Sequence, residues 1–561
     1  MNSIKVIPLG GVREEGKNMY LVELDDLIYI LDCGLVYPED EMLGIDAVIP
    51  DFTYLEENKD RVVGIFLSHG HADAVGGLPY LLDVIEAPIF GSELTIELAR
   101  ISVREAGLDH HLDNFYVVDA DTEIEFDNTT VSFFKTTHTI PDSLGIVVAT
   151  DAGSIVYTGD FKFDPSSSEL YQTDFNRLTD IGQKGVLALL SDSADAEVVV
   201  NNDSVIKIVN EMTETFLNTP GRVIVASIGS NIARIQQVLK AAYQSGRTVF
   251  FAGDQLFEIV DVAIKLDKIM IPSKDVIGQL KDLSSYDDDK IVVLETGNVG
   301  EPIKAIQAMA NQRHKSVHLK EGDLVYMATT PSVSMETVLA KTSDMIYRAG
   351  ASVKSIKEDG QVSGHANRHD LQLILNFMKP DYLIPINGES RYLHAHAKLA
   401  EELGYDKDHI FLPNLGDVID YRKGQMTMTS QVPAGNVLVD GSGVGDIGNV
   451  VLRDRRILSE DGIFVVVATI SRRTKKVLVG PQITSRGFVF MKTSLDLIEE
   501  CSDITLDVLE NHLDKKDFDW GDLKSDLREK IGKYLFKETK RRPVILPIIM
   551  EGSNYQPGKH D

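Results

Sequence analysis

Ser68-His69-Gly70-His71-Ala72-Asp73-Ala74 sets two imidazoles and a carboxylate at alternate positions. The run before it, Val62-Val63-Gly64-Ile65-Phe66-Leu67, is apolar and reads as a buried strand. The segment after it, 75–84, reads as a helix. Polar chemistry is therefore placed on a tight turn between a strand and a helix start, where functional groups concentrate. Two His and an Asp this close point to a metal ion.

Working outward, residues 4–34 read as strand, glycine-rich turn, strand and strand. Gly11-Val-Arg-Glu-Glu-Gly16-Lys17-Asn18 comes near a phosphate-binding loop. Asn18 replaces the hydroxyl residue such a loop needs, and Glu14 and Glu15 would repel phosphate, so a connecting turn is the better reading. After the turn at 68–74, strands near 131–135, 154–158 and 186–190 each run into polar residues. The first leads to His138, the second to Asp160, the third to Asp192. His69, His71, His138 and Asp160 thus follow strands at one edge of a layered β-rich domain. Three neutral imidazoles and one carboxylate satisfy a zinc-type ion.

From about residue 203 the pattern alternates helix and strand, as in a separate α/β unit with a parallel sheet. Strand 382–386 ends in Asn387-Gly388-Glu389 and reads as a return to the first domain. The expected division is 1–202 for the first domain, 203–368 for an insertion, 369–429 for the return, 430–448 for a linker and 449–555 for a C-terminal domain. That last domain is expected to begin with a strand at 449–453. His110, His111, His314, His318 and His369 are expected to be exposed, and the last ten residues to fray.

The bulk numbers fit a soluble, multi-domain chain of 561 residues. Lys plus Arg is 56 against Asp plus Glu at 86, a net charge of −30. That field opposes broad nucleic-acid binding, so any such affinity must come from a specific patch. Only Cys33 and Cys501 are present, which excludes a disulfide framework and fits a cytoplasmic setting. No apolar run approaches the roughly 18–20 residues that span a bilayer, and no membrane association is expected.

His-x-His-x-Asp, a distant His and a strand-end Gly159-Asp160 resemble the metallo-β-lactamase signature. The α/β insertion followed by Ser363-Gly364-His365 resembles its nucleic-acid-processing β-CASP branch. Pro8-Leu-Gly-Gly11, Gly16-Lys-Asn-Met19, Asp32-Cys-Gly-Leu35, Ile140-Pro-Asp-Ser143, Tyr157-Thr-Gly-Asp-Phe-Lys162, Gly480-Pro481, Ser485-Arg-Gly487 and Arg541-Arg-Pro543 narrow the resemblance to the ribonuclease J family across nearly the whole chain.

The resemblance implies an αββα sandwich with an inserted α/β domain and a small C-terminal α/β domain. It implies that His69, His71, His138 and Asp160 hold a first divalent ion, with Asp160 bridging to a second. Asp73 would be a second-site ligand and organise the attacking water. Asp192 would orient His365, the contact to the scissile phosphate and general acid. Gln361, Val362, Ser363, Gly364 and His365 would form the loop that holds substrate phosphate. One or two ions per chain, zinc or manganese, are implied. So is 5′-to-3′ exonuclease activity, with endonuclease activity beside it, in mRNA decay and rRNA maturation.

The departures from the family pattern cluster at the site. Ala74 and Asn387 stand where active members carry second-site histidines. Gln361 replaces a common His, Ala233 follows Ser-Asn-Ile where a His is frequent, and Pro331-Ser-Val-Ser-Met-Glu336 departs from the usual motif. This pattern resembles the second, active-site-degenerate ribonuclease J paralogue of low-GC Gram-positive bacteria such as Bacillus and Staphylococcus. It implies weak activity alone and work in a hetero-oligomer with an active ribonuclease J paralogue. RNA, a homodimer or homotetramer, and other RNA-degradation proteins complete the expected partners. The alternative is a non-catalytic structural or regulatory subunit that binds RNA. A lactamase-like hydrolase of small molecules would leave the insertion and phosphate loop without a purpose.

Overall fold

The computed structural model describes residues 3–38, 42–126, 129–164, 168–199, 205–296, 302–328, 336–356, 363–441, 443–489 and 494–552. Gln361, Val362 and the stretch 331–335 lie outside them. The chain divides into two compact units, Met1–Val36 with Val48–Val437, and Tyr37–Ala47 with Leu438–Asp561.

In the first unit, two sheets face each other. One runs in the order 425–431, 417–422, 4–10, 19–24, 27–31, 62–66, 89–91, 115–117, and the other 382–386, 186–192, 154–157, 144–149, 129–135, 123–126. Between them lies a dry core that includes Tyr20, Tyr29, Leu31, Phe66, Phe133, Ile146, Ile155, Leu190 and Ile384. Helices Phe175–Lys184, Arg368–Met378 and Ser390–Glu402 cover the outer face of the second sheet through Leu178, Ile181, Leu371, Ile374, Leu375 and Leu399. Both expected outer layers of an αββα sandwich are thereby accounted for, with Leu78–Leu82 and Glu93–Glu105 following strands of the first sheet.

Val62–Phe66 pairs in parallel with Leu27–Leu31 and Ile89–Gly91. The helix expected at 75–84 is instead two, Ala72–Val75 and Leu78–Leu82. The break falls at Gly76-Gly77, where chain 33–35 packs too close for a side chain. A Cβ on Gly76 would lie 2.6 Å from Leu35 Cγ, and one on Gly77 2.7 Å from the Gly34 oxygen. The glycine-rich turn is no phosphate cradle. Lys17 is fully buried, its Nζ 2.6 Å from Asn436 Oδ1 and 3.0 Å from Glu14 Oε1.

The inserted sheet is wholly parallel, ordered 277–278, 248–251, 291–295, 223–226, 324–327, 352–355. Alternate residues serve its two faces, as a sheet covered on both sides requires. Val223, Val225, Val292 and Leu294 pack with helices Val205–Asn218 and Ile232–Gln244, while Ile224, Ala226, Val293 and Val325 pack with Pro302–Ala310. After the insertion, Tyr382–Ile386 lies parallel to Val186–Asp192, with Asp192 opposite Ile386. That register puts Asp192 and Asn387 side by side.

In the second unit, strands Ile463–Ser471, Lys476–Arg486 and Val544–Glu551 carry two helices, Leu495–Asp514 and Trp520–Thr539, on one face. Phe464, Val466, Ala468 and Ile470 meet Leu509, Leu513, Leu527, Ile531 and Leu535 there. Arg541 is a structural tie: it donates to the Phe488, Gly487 and Glu460 carbonyls and to Asp461.

Some expectations are corrected. Residues 449–453 open a helix, Asn449–Asp461, not a strand. The Val450-Val451-Leu452 run imitates a strand, but the charged turns behind it, with Arg456 bonded to Glu460 one turn on, favour the helix. The stretch expected as a linker carries the strand Asn436–Asp440. His111 is buried, and His314 is partly covered, 3.3 Å from Glu295. Among the described residues no helix is long and apolar enough to cross a membrane.

Arg222 and Asp323 form a buried bidentate pair, at 2.9 and 2.6 Å, across neighbouring strands of the inserted sheet. Removing one partner of such a pair strands a buried charge at a cost of about 3–5 kcal/mol. Asp323→Ala is expected to lower stability by that amount in a urea melt, while Lys320→Ala, at a mostly exposed side chain, stays within about 0.5 kcal/mol.

Candidate metal centre

Five strand ends converge. Val62–Phe66 delivers His69, His71 and Asp73; Thr129–Lys135 delivers His138; Ser154–Tyr157 delivers Asp160; Val186–Asp192 delivers Asp192; Tyr382–Ile386 delivers Asn387. The nitrogens of His69, His71 and His138 lie within 4.8 Å of one another, as do ligand atoms of His69, Asp73 and Asp160, and of Asp160, Asp192 and His365.

Hydrogen bonds on the outer ring atoms decide where the lone pairs point. His138 Nδ1 lies 2.8 Å from the Gly364 carbonyl, so it carries the proton and Nε2 is bare. His71 Nε2 lies 3.2 Å from the Ser230 carbonyl, which leaves Nδ1 bare. Ser68 Oγ donates to Asp32 Oδ2 at 2.6 Å, so it accepts from His69 Nδ1 at 2.9 Å, and His69 Nε2 is bare. That nitrogen is buried and has no hydrogen-bond partner among the described residues. His138 Nε2 and His71 Nδ1 stand only 3.0 Å apart. Three lone pairs turned on one buried point repel unless a cation sits between them. The donor set therefore fits a divalent ion, with carbonyls and Ser68 fixing each imidazole from behind.

The charges tell the same story. Burial lowers His71, helped by His69, to about 3, and lowers His138 well below its ordinary range. Burial also pulls on His69, but the Asp73 carboxylate, 3.6 Å from Nε2, outweighs it and raises the ring to about 9. A proton there stands where a cation would. Burial and the charge of Asp73 push Asp160 well above the usual carboxylate range.

Ala74 follows Asp73 in the chain, and Asn387 is bonded to Asp160. Asn387 Oδ1 accepts the Gly16 N–H at 3.3 Å, and Nδ2 donates to Asp160 Oδ1 at 2.7 Å. Asn387 is held in the left-handed region, φ 45°, which Asn tolerates. Asp73 Oδ2 likewise accepts from Asn18 Nδ2 at 3.2 Å. Ala74 offers a buried methyl. Two amide N–H groups thus donate to one oxygen each of Asp73 and Asp160.

His365 Nδ1 lies 2.9 Å from Asp192 Oδ2, whose other oxygen accepts the Ala194 N–H at 3.0 Å. Burial opposes the charged ring, but Asp192 and Asp160 raise it well above its usual range. With Nδ1–H held by Asp192, its Nε2–H is available to donate. Ser363 Oγ accepts the His365 N–H at 3.1 Å.

The sequence reading missed Asn18, Asp32, Ser230 and the Gly364 carbonyl as parts of the site. The motifs Gly16-Lys-Asn-Met19 and Asp32-Cys-Gly-Leu35 were the available signal for two of them. The carbonyls left none, because any residue type supplies one.

Four family models match in order: "Metallo-beta-lactamase superfamily" over residues 12–200, "Ribonuclease J, beta-CASP domain" over 220–345, "Zn-dependent metallo-hydrolase RNA specificity domain" over 351–413 and "Ribonuclease J C-terminal domain" over 450–552. The chain is 50% identical over 554 residues to "Ribonuclease J 2" of Streptococcus pyogenes, covering 98% of this chain and 100% of that one. It is 44% identical over 548 residues to the protein of that name from Staphylococcus epidermidis, covering 98% of each. It also resembles a crystal structure of a protein of unknown function from Enterococcus faecalis V583, with TM-score 0.51 and 15% identity, covering 75% of this chain and 100% of that one. At that identity the likeness concerns the fold.

Asp32 is the buried anchor behind His69, accepting the Ser68 N–H at 2.7 Å, the Ser68 hydroxyl and the Tyr157 hydroxyl. Asp32→Ala is expected to weaken divalent-metal binding about 10–100-fold, the usual effect of losing such support, in a titration against a chelating dye. Unchanged affinity would show that the His69 ring is oriented without it.

Proposed function

The chain belongs to the ribonuclease J family, whose members are metal-dependent ribonucleases, and we propose that it is a weakly active subunit holding one tightly bound ion. The observation that carries this reading is the Asn387 amide on Asp160. Where a second cation would meet Asp160 Oδ1, the Asn387 N–H donates to that oxygen instead.

In this reading His69, His71, His138 and Asp160 hold the ion, and nitrogen-rich ligation favours zinc over manganese. A bound ion would polarise a phosphoryl oxygen and make water acidic. Asp73 accepts a proton from the attacking water, with Asn18 holding its other oxygen in place. His365, charged and aimed by Asp192, donates to the phosphate or to the leaving oxygen. Ser363, Gly364 and His365, with Gln361 and Val362, carry the substrate phosphate. Missing the second ion removes half of the charge neutralisation that two-metal phosphodiester cleavage uses, so turnover is slow.

The substrate is RNA, attacked from a 5′ end and at internal sites. The same losses support a subunit that assembles with a fully equipped paralogue in the cytoplasm for mRNA decay and rRNA maturation. A subunit without any catalysis is the second reading, and the charged His365–Asp192 pair argues against it, since a purely structural chain has no use for one.

Metal analysis of chelator-free protein is expected to return one ion per chain, and two for Ala74→His with Asn387→His. That double variant should raise turnover of 5′-monophosphorylated RNA at least about 10-fold, and Asp73→Ala should abolish it. Two tightly bound ions in the wild-type chain would overturn the one-ion reading. Turnover unaffected by both Asp73→Ala and chelator would overturn the enzymatic one.

A further inference from the structure

We propose that the second unit carries its own binding surface for single-stranded RNA, built from the turn 472–476 and the connection 515–520. The inference rests on RNA being this chain's partner, but on none of the catalytic residues.

A chain of net charge −30 must concentrate whatever attracts a polyanion. Residues 449–552 carry nineteen Lys and Arg against seventeen Asp and Glu, so the excess acid lies elsewhere in the sequence. Within that domain, Arg472, Arg473, Lys475 and Lys476 occupy the turn between Ile463–Ser471 and Lys476–Arg486. Lys515 and Lys516 follow the helix Leu495–Asp514. Lys475 Nζ lies 3.3 Å from the Asp514 carbonyl, which joins the two segments.

Aromatic rings sit in the same place. Phe518 and Trp520 meet edge to face with centroids 5.0 Å apart, and both stay partly exposed. The Arg472 guanidinium lies 5.6 Å from one centroid and 5.7 Å from the other, and Glu551 fixes it at 2.6 Å. A held guanidinium beside half-open rings is a platform on which a base can stack, with sequence-tolerant affinity.

Acidic neighbours are largely committed: Glu551 to Arg472, Asp514 to Lys475, and Asp519 to the N–H of Asp522 as a helix cap. Asp517 is the remaining carboxylate between them. Arg473, Lys476 and Lys516 have no hydrogen bond or ion pair among the described residues, so their charges face outward. Phe518 and Trp520 pack against the domain core and remain partly exposed, so part of each ring is open beside these cations.

Trp520 is the chain's only tryptophan, so its emission reports the site directly. The full chain is titrated with 5′-hydroxyl oligo(U) in EDTA, following both Trp520 emission and the anisotropy of labelled RNA. Binding is expected to quench Trp520. The triple variant Arg473→Gln, Lys476→Gln, Lys516→Gln should bind about 10-fold more weakly at 0.1 M salt. Its log–log salt slope should be shallower by about 2, at roughly 0.7 per lost phosphate contact. A control with the same net charge, Lys265→Gln, Lys290→Gln, Lys407→Gln, should stay within about twofold.

Unquenched Trp520 at saturating RNA, or equal losses in variant and control, would overturn the proposal. So would a triple variant with normal RNA binding but altered sedimentation, which would assign the patch to a protein contact. Because no step needs catalysis or metal, failure of the one-ion reading would leave this result standing, and the reverse.

Discussion

A carboxylate shut away from water must be met by positive charge or by N–H groups, and Asp160 is where this chain makes that choice. One of its oxygens faces the imidazoles of His69 and His138, at 3.8 and 4.0 Å. The other accepts the Asn387 amide. The contrast divides the centre into a side of crowded ring nitrogens and a side lined by amide N–H groups. On the first side, bare ring nitrogens crowd together and His69 Nε2 has no partner among the described residues. On the second, amides from Asn18 and Asn387 donate to Asp73 and Asp160, and Ala74 offers a buried methyl.

The same centre depends on backbone that arrives from far along the chain. The Ser230 carbonyl precedes the insertion's helix Ile232–Gln244, and the Gly364 carbonyl lies near the insertion's end, yet each fixes the proton of a histidine in the sandwich. Gly364 has to be glycine: a Cβ there would lie 2.5 Å from His138 Cε1. The inserted domain therefore does more than cover the cleft. It sets the tautomers on which metal binding relies, so loss of its docking would reach the ion before it reached any substrate.

How legible this was follows from what each feature depends on. Strand-end His and Asp residues stand out because continuous apolar runs announce the strands that carry them. The parallel sheet of the insertion was readable for the same reason, since both of its faces are buried and its strands are apolar throughout. Short amphipathic pieces such as Phe175–Lys184, and the helix Asn449–Asp461 behind its Val-Val-Leu start, were hidden or misread because local pattern gave two answers and packing chose. The orientation of Asn387 could not be read at all. It is decided by the Gly16 N–H, 371 residues away in sequence, which holds the amide oxygen and leaves the Asn387 N–H to donate to Asp160.

That orientation has an evolutionary consequence. In the genetic code Asn lies one base change from His, while Ala lies at least two away. A lineage that took the Asn387→His step first would give up the bonds to Gly16 and Asp160 and still face the methyl of Ala74, gaining no ion in return. An Ala74→His step taken first would add one imidazole while the Asn387 amide still held Asp160. Under the one-ion reading each single step back gains no ion, and the paired state acts as a ratchet: the chain can drift further from a two-ion nuclease more readily than it can return to one.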